Sequence, residues 1–211
     1  MFKKIVTSRS DFRAMVPAPS DLVVAKEINF LDKHCKSFIA RSPFVLVATS
    51  NKNGQCDVSP RGDAPGFVQV LDDKHLAIPD RPGNKRFDTF ENILDNPHVG
   101  LLFMIPGLQE TLRVNGKAVV IQDDEILEVA SVDGKRPLFA MGVEVEQAFI
   151  HCAKAFIRSK LWKSESWQNT KDLPSLAKML LDHVDANKKK VEVSEKELDA
   201  TIEESYQTRL Y

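Results

Sequence analysis

Two loops concentrate the reactive side chains of this sequence: Asp57-Val58-Ser59-Pro60-Arg61-Gly62-Asp63-Ala64-Pro65-Gly66 and Ile78-Pro79-Asp80-Arg81-Pro82-Gly83-Asn84-Lys85-Arg86. The second runs straight into a helix start. Together they bring Ser59, Arg61, Arg81, Asn84, Lys85 and Arg86 onto a chain with little net charge. A phosphate group asks for this combination: free N–H groups at a helix N-terminus, glycines that let backbone approach, and Arg or Lys for charge-assisted bonds. From the residues alone a second reading stays open, two solvated loops whose cations are balanced by Asp57, Asp63, Asp80 and Asp88. Arg81 precedes Pro82 and is expected to matter less to an anion than Lys85 or Arg86.

The chain of 211 residues carries 29 Lys and Arg against 30 Asp and Glu, a net charge of -1. No basic excess marks a nucleic-acid binder, so an anion site must be a local cluster. Hydrophobic residues make up 43% of the chain, enough for a core, and the length suits one domain with appended helices. The longest apolar stretch, Val99 to Pro106, is interrupted by Gly100 and too short to span a bilayer. Met1 to Thr7 lacks the pattern of a signal peptide. Cys35, Cys56 and Cys152 are odd in number and widely spread, which points to free thiols in a reducing compartment, the cytoplasm.

The elements that must position the loops follow from periodicity. Ile28, Leu31, Cys35, Phe38 and Ile39 recur at helical spacing, predicting one helix from Ser20 or Asp21 to about Ala40, stopped by Ser42-Pro43. Phe44 to Thr49 reads as a strand, Asn51 to Gly54 as a hairpin turn, and Cys56 to Ser59 as the return strand, with Cys56 a buried small hydrophobe. Gly66 to Leu71 and His75 to Pro79 form a second hairpin. Phe87, Phe90, Ile93 and Leu94 mark the apolar face of a short helix ended by Asn96-Pro97. Val99 to Ile105, apolar on both faces, reads as a central strand, and Glu110 to Ile121 as a strand with a bulge or kink at Asn115-Gly116. Asp123 to Ser131 is helical and Pro137 to Ile150 a strand. Helices are expected over His151 to Trp162, over Leu173 to His183, and after the capping-box signature Ser194-Glu195-Lys196-Glu197. The fold class is therefore mainly β with flanking helices, an antiparallel barrel. No Gly-x-Gly-x-x-Gly follows a strand to support a dinucleotide fold.

Residues 42–162 resemble the pyridoxamine 5'-phosphate oxidase-like family of FMN-binding split barrels, and more narrowly an oxidase-related bacterial subgroup. The matching stretches, in order, are Ser42-Pro43-Phe44, the two loops with Phe67-Val68, Asn96 to Phe103, Glu110 to Gly116, His151 to Ala155 and Arg158 to Trp162. The resemblance implies an antiparallel FMN-binding split β-barrel over 42–162, a helix-bearing N-terminal segment (1–41) packed on it, and a C-terminal helical extension (163–211). It also implies a homodimer with FMN between subunits. The phosphate-holding cations would fall on Arg61, Lys85 and Arg86, with Ser59 and Asn84 as neutral donors. Backbone of Ile78-Pro79 would run under the flavin ring, and Thr111 and Arg113 would sit near its polar edge. Pyridoxamine phosphate oxidases end in an Arg- and His-bearing substrate segment. Leu173 to Tyr211 lacks that pattern, which argues against vitamin B6 oxidation.

On a helix, His151, Lys154 and Arg158 would share one side, while Phe156 and Leu161 turn to the core. That basic stripe could close over the flavin of the other subunit with Trp162 as a lid, or it could be a solvated face with Trp162 in the core. His151 with Cys152 and His34 with Cys35 lack metal-site spacing, so no metal is expected. The expected function is an FMN-dependent oxidoreductase for a small molecule, with NADH or NADPH as the donor to test. Its rivals are a flavin carrier or redox sensor, and a same-fold protein that takes haem or a deazaflavin.

Overall fold

Alternation along the strands builds the core. In the computed structural model, which describes all 211 residues, β1 (Phe44–Ser50) buries Val45, Val47 and Thr49, and β5 (His98–Met104) buries Val99, Leu101 and Phe103. These two pair antiparallel, Val45 opposite Phe103 and Val47 opposite Leu101. The remaining strands are β2 (Cys56–Gly62), β3 (Gln69–Val70), β4 (His75–Pro79), β6 (Thr111–Ile121) and β7 (Ala140–His151). They complete one seven-stranded antiparallel sheet in the order β2-β1-β5-β6-β7-β4-β3, the split barrel. One apolar cluster inside it takes residues from β1, β4, β5, β6 and β7 and from two helices.

The kink expected at Asn115-Gly116 is present, and it has a cause. Asn115 faces Gln147 while Gly116 faces Val145, so Glu146 of β7 has no partner and is the extra residue of a bulge. The inward phase of β7 consequently changes from Met141, Val143 and Val145 to Ala148. A Cβ on Gly116 would lie 2.0 Å from the carbonyl oxygen of Glu144, so only glycine lets the strands approach here.

The helices depart from the periodic reading in three places. The single N-terminal helix is two, α2 (Asp21–Ala25) and α3 (Lys33–Ile39). Between them Ile28 leaves the helical path to form a bridge with Ala148, and Asp32 restarts the helix by accepting the N–H groups of His34 and Cys35. α3 buries Cys35, Phe38 and Ile39, whereas α2 and an additional α1 (Arg9–Ala14) bury nothing. In α4 (Asp88–Asp95) Phe90 and Ile93 are buried as expected, but Leu94 is 76% exposed. Phe87 is the helix N-cap at φ 56 and is also exposed. The third helical departure is at His151, which closes β7 and is not helical. α6 is only Lys154–Ser159, so His151 shares no helix face with Lys154 and Arg158. Cys56, expected inside, is exposed because it opens the edge strand β2.

α5 (Asp124–Val129) and α7 (Leu176–Ala186) lie near their expected positions. α8 (Glu195–Thr208) starts with the anticipated capping box: Ser194 Oγ accepts the Glu197 N–H, and Glu197 accepts the Ser194 N–H. No helix is long and apolar enough to cross a membrane.

Candidate functional site

β2, the end of β4 and the segment leading into α4 enclose a cleft of about 510 Å³. Ser59, Arg61, Pro79, Asn84, Lys85 and Arg86 all border it, so the two loops picked from the sequence meet in space. Ile78 is buried behind the wall at 2% exposure. Pro82 and Gly83 deny the loop a regular structure, and Lys85 at φ 59 and Phe87 at φ 56 turn it through the left-handed region. The side chain of Asn84 holds the turn by accepting the Arg86 N–H at 3.0 Å. α4 begins at Asp88, not at Arg86, with no side-chain cap.

Three of the four cleft cations already own a carboxylate. Arg81 Nε donates to Asp63 at 2.7 Å with both side chains nearly buried, and its guanidinium also reaches the Ala130 carbonyl. Arg61 pairs with Asp80 at 3.2 Å and lies over the Phe90 ring. Arg86 grips Asp88 at 2.7 Å, but that pair is exposed. Only Lys85 is exposed and without a carboxylate. An exposed pair contributes at most about 1 kcal/mol and gives way readily to a better anion, whereas a buried pair is held. Lys85 and then Arg86 are therefore free to meet a phosphate, Arg61 is half-committed, and Arg81 belongs to the fold.

Burial shapes the two carboxylates differently. For Asp80 desolvation raises the carboxyl above its usual range despite the opposing charge of Arg61. For Asp63 burial also pulls upward, but hydrogen bonds from Tyr211, the Ala64 N–H and Arg81 outweigh it and hold the group low. Tyr211 is a cleft residue that the sequence reading passed over. Its hydroxyl donates to Asp63 at 2.7 Å across 148 positions of chain, a contact no local pattern announces.

The other expected residues gather elsewhere. Thr111, Arg113, Lys154, Arg158 and Trp162 border no part of the cleft. In the sheet register Arg61 lies level with Leu112, three strands away through Val45 and Phe103, about 14 Å around the barrel wall. Thr111 is buried, while Arg113, exposed, rests 5.6 Å from the Phe149 ring. Beside it His151 Nε2 is buried with no partner, and burial with the charges of Arg113 and Lys26 keeps that ring from protonating easily. Trp162 is not a core residue. It stacks on Phe156 at 5.6 Å and donates to the Leu108 carbonyl at 2.8 Å, half-buried. Leu161, expected inside, is 45% exposed.

A split barrel with a cleft walled by β2, the end of β4 and the loop into α4 is the class that fold and cleft define. Residues 31–152, more than half of the chain, match the pyridoxamine 5'-phosphate oxidase family, and the chain belongs to it. Among solved structures, a Group A Streptococcus HupZ variant is similar at 21% identity, covering 57% of this chain and 99% of that one (TM-score 0.46). An FMN-binding protein from Syntrophomonas wolfei is similar at 11% identity over 56% and 88% (TM-score 0.41). A FAD-binding protein from Mesorhizobium loti is similar at 18% over 57% and 94% (TM-score 0.40). No curated protein matches the chain.

Proposed function

We propose that this protein binds FMN in the 510 Å³ cleft and works as a cytoplasmic flavin oxidoreductase on a small molecule. The observation that carries this reading is Lys85, exposed and unpaired at a left-handed turn in the cleft wall, next to Asn84 and the loosely held Arg86. That donor set suits a phosphate ester, and membership in the pyridoxamine 5'-phosphate oxidase family supports a flavin as its bearer. Lys85 and Arg86 hold the phosphate, Asn84 and Ser59 add neutral donors, and Arg61 adds charge from the wall. Backbone at Ile78-Pro79 supports the ring. Bound FMN supplies the redox chemistry, and the chain anchors, orients and shields it.

The cleft lacks the second group of expected residues, so the proposed assembly is a homodimer. A second copy brings Thr111, Arg113, Lys154, Arg158 and Trp162 to the flavin edge. The test is to mix purified protein with FMN, remove free flavin by gel filtration, and record absorbance and light scattering. Retained flavin on a species of twice the chain mass is the expected result. Loss of all flavin contradicts the cofactor, and a monomer retaining flavin contradicts the shared site. Consumption of NADH or NADPH by the loaded protein separates an oxidoreductase from a flavin carrier.

A further inference from the structure

Tyr211 spans two cavities. Its hydroxyl donates to Asp63 in the first, and its carbonyl accepts from Lys135 Nζ at 3.1 Å in a second of about 280 Å³. The Arg81 guanidinium lies 5.2 Å from the ring centre, so the residue is held at three points. Both cavities share Asp80 to Gly83 and Lys85 as a wall, and the second continues past it to Arg136, Leu138 and Phe139. Tyr211 thus borders both cavities.

That position bears on which flavin can enter. FMN ends at its phosphate, whereas FAD continues from that phosphate through a second one to an adenosine. With the first phosphate at Asn84 to Arg86, the second cavity is the adjoining space for the remainder, offering a cation at Arg136 and apolar surface at Leu138 and Phe139, while Lys135 is taken up by the Tyr211 carbonyl. We propose that Tyr211 is a specificity residue that restricts this cleft to a mononucleotide flavin by closing it off from the cavity lined by Lys135 and Phe139. The inference rests on the flavin reading of the cleft, and it assigns a discriminating role through an added obstacle, not an added attraction.

FMN and FAD titrations, followed by flavin fluorescence, test it on the wild type, Tyr211→Ala, Tyr211→Phe and Lys135→Ala. The wild type is expected to favour FMN, and Tyr211→Ala to narrow that preference by about tenfold. Tyr211→Phe keeps the ring and should keep the preference, which separates obstruction from a general loosening of the fold. Lys135→Ala releases one anchor and should move the ratio the same way by less, so the test survives if Tyr211→Ala fails to fold. A wild type that takes both flavins equally, or an unchanged ratio in Tyr211→Ala and Lys135→Ala, overturns the proposal. A wild type that binds neither flavin overturns the reading of the cleft instead.

Discussion

The barrel carries two basic regions of contrasting construction. Around the cleft the cations sit among carboxylates of their own, graded from the buried Arg81–Asp63 pair through Arg61–Asp80 to the exposed Arg86–Asp88. At the Thr111–His151 end of β6 and β7, Arg113, Lys154 and Arg158 are exposed and none enters an ion pair with a carboxylate of the chain. The first region is a cleft whose charge is mostly spent on holding its own shape. The second is an open surface whose charge is unspent. A cluster of cations in sequence thus says little until their partners are known, because an internally paired Arg builds the site and an unpaired Lys serves it.

The second region lies on the β6–β7 pair and the first reaches it through β4, and the largest expected effect follows from that. Gly116→Ala drives a methyl into the Glu144 carbonyl, so it should cost about 3 kcal/mol or more in denaturant unfolding. A loss below about 1 kcal/mol would show that the bulge can rearrange freely. Next comes Arg81→Ala, which leaves Asp63 buried without its cation and should cost about 3 kcal/mol. Flavin affinity in the variant that still folds should change little. A strong loss of flavin with unchanged stability would put Arg81 among the binding residues and erase the gradient.

Asp63 sharpens the same point through pH. Its carboxyl is held below 3.8, so the stability it contributes is complete above that value and is lost as pH falls through the lower folded value. The gap in stability between the wild type and Asp63→Asn should be constant from neutral pH down to about 4 and close below it, as acid melts will show. A gap that widens toward acid contradicts the assignment. The smallest effect concerns thiols: Cys56 and Cys152 are exposed, while burial pushes Cys35 up to about 11. An aromatic disulfide reagent should titrate two thiols at once in the folded protein and the third only on unfolding.

Strand alternation, the capping box at Ser194 and the bulge near Asn115 were readable because each depends on neighbours in sequence. The break between α2 and α3 was hidden, since Ile28 keeps helical spacing with Leu31 and Cys35 while its backbone pairs with Ala148. Asp32 as an N-cap was the available signal. The meeting of Ser59 and Arg61 with Asn84, Lys85 and Arg86 was legible as a shared residue chemistry. The pairing of Arg81 with Asp63, and Tyr211 on the same carboxylate, was not, because such contacts are set by tertiary packing.

The central claim is that the loop at Lys85 holds a flavin phosphate, and paired titrations of FMN and riboflavin into the wild type and Lys85→Ala test it most directly. A charge-assisted bond to phosphate contributes roughly 1.5–3 kcal/mol. FMN affinity should therefore fall about ten- to a hundredfold in the variant, while riboflavin, which lacks the phosphate, binds both proteins alike. Equal losses for the two ligands, or none for either, would contradict the account.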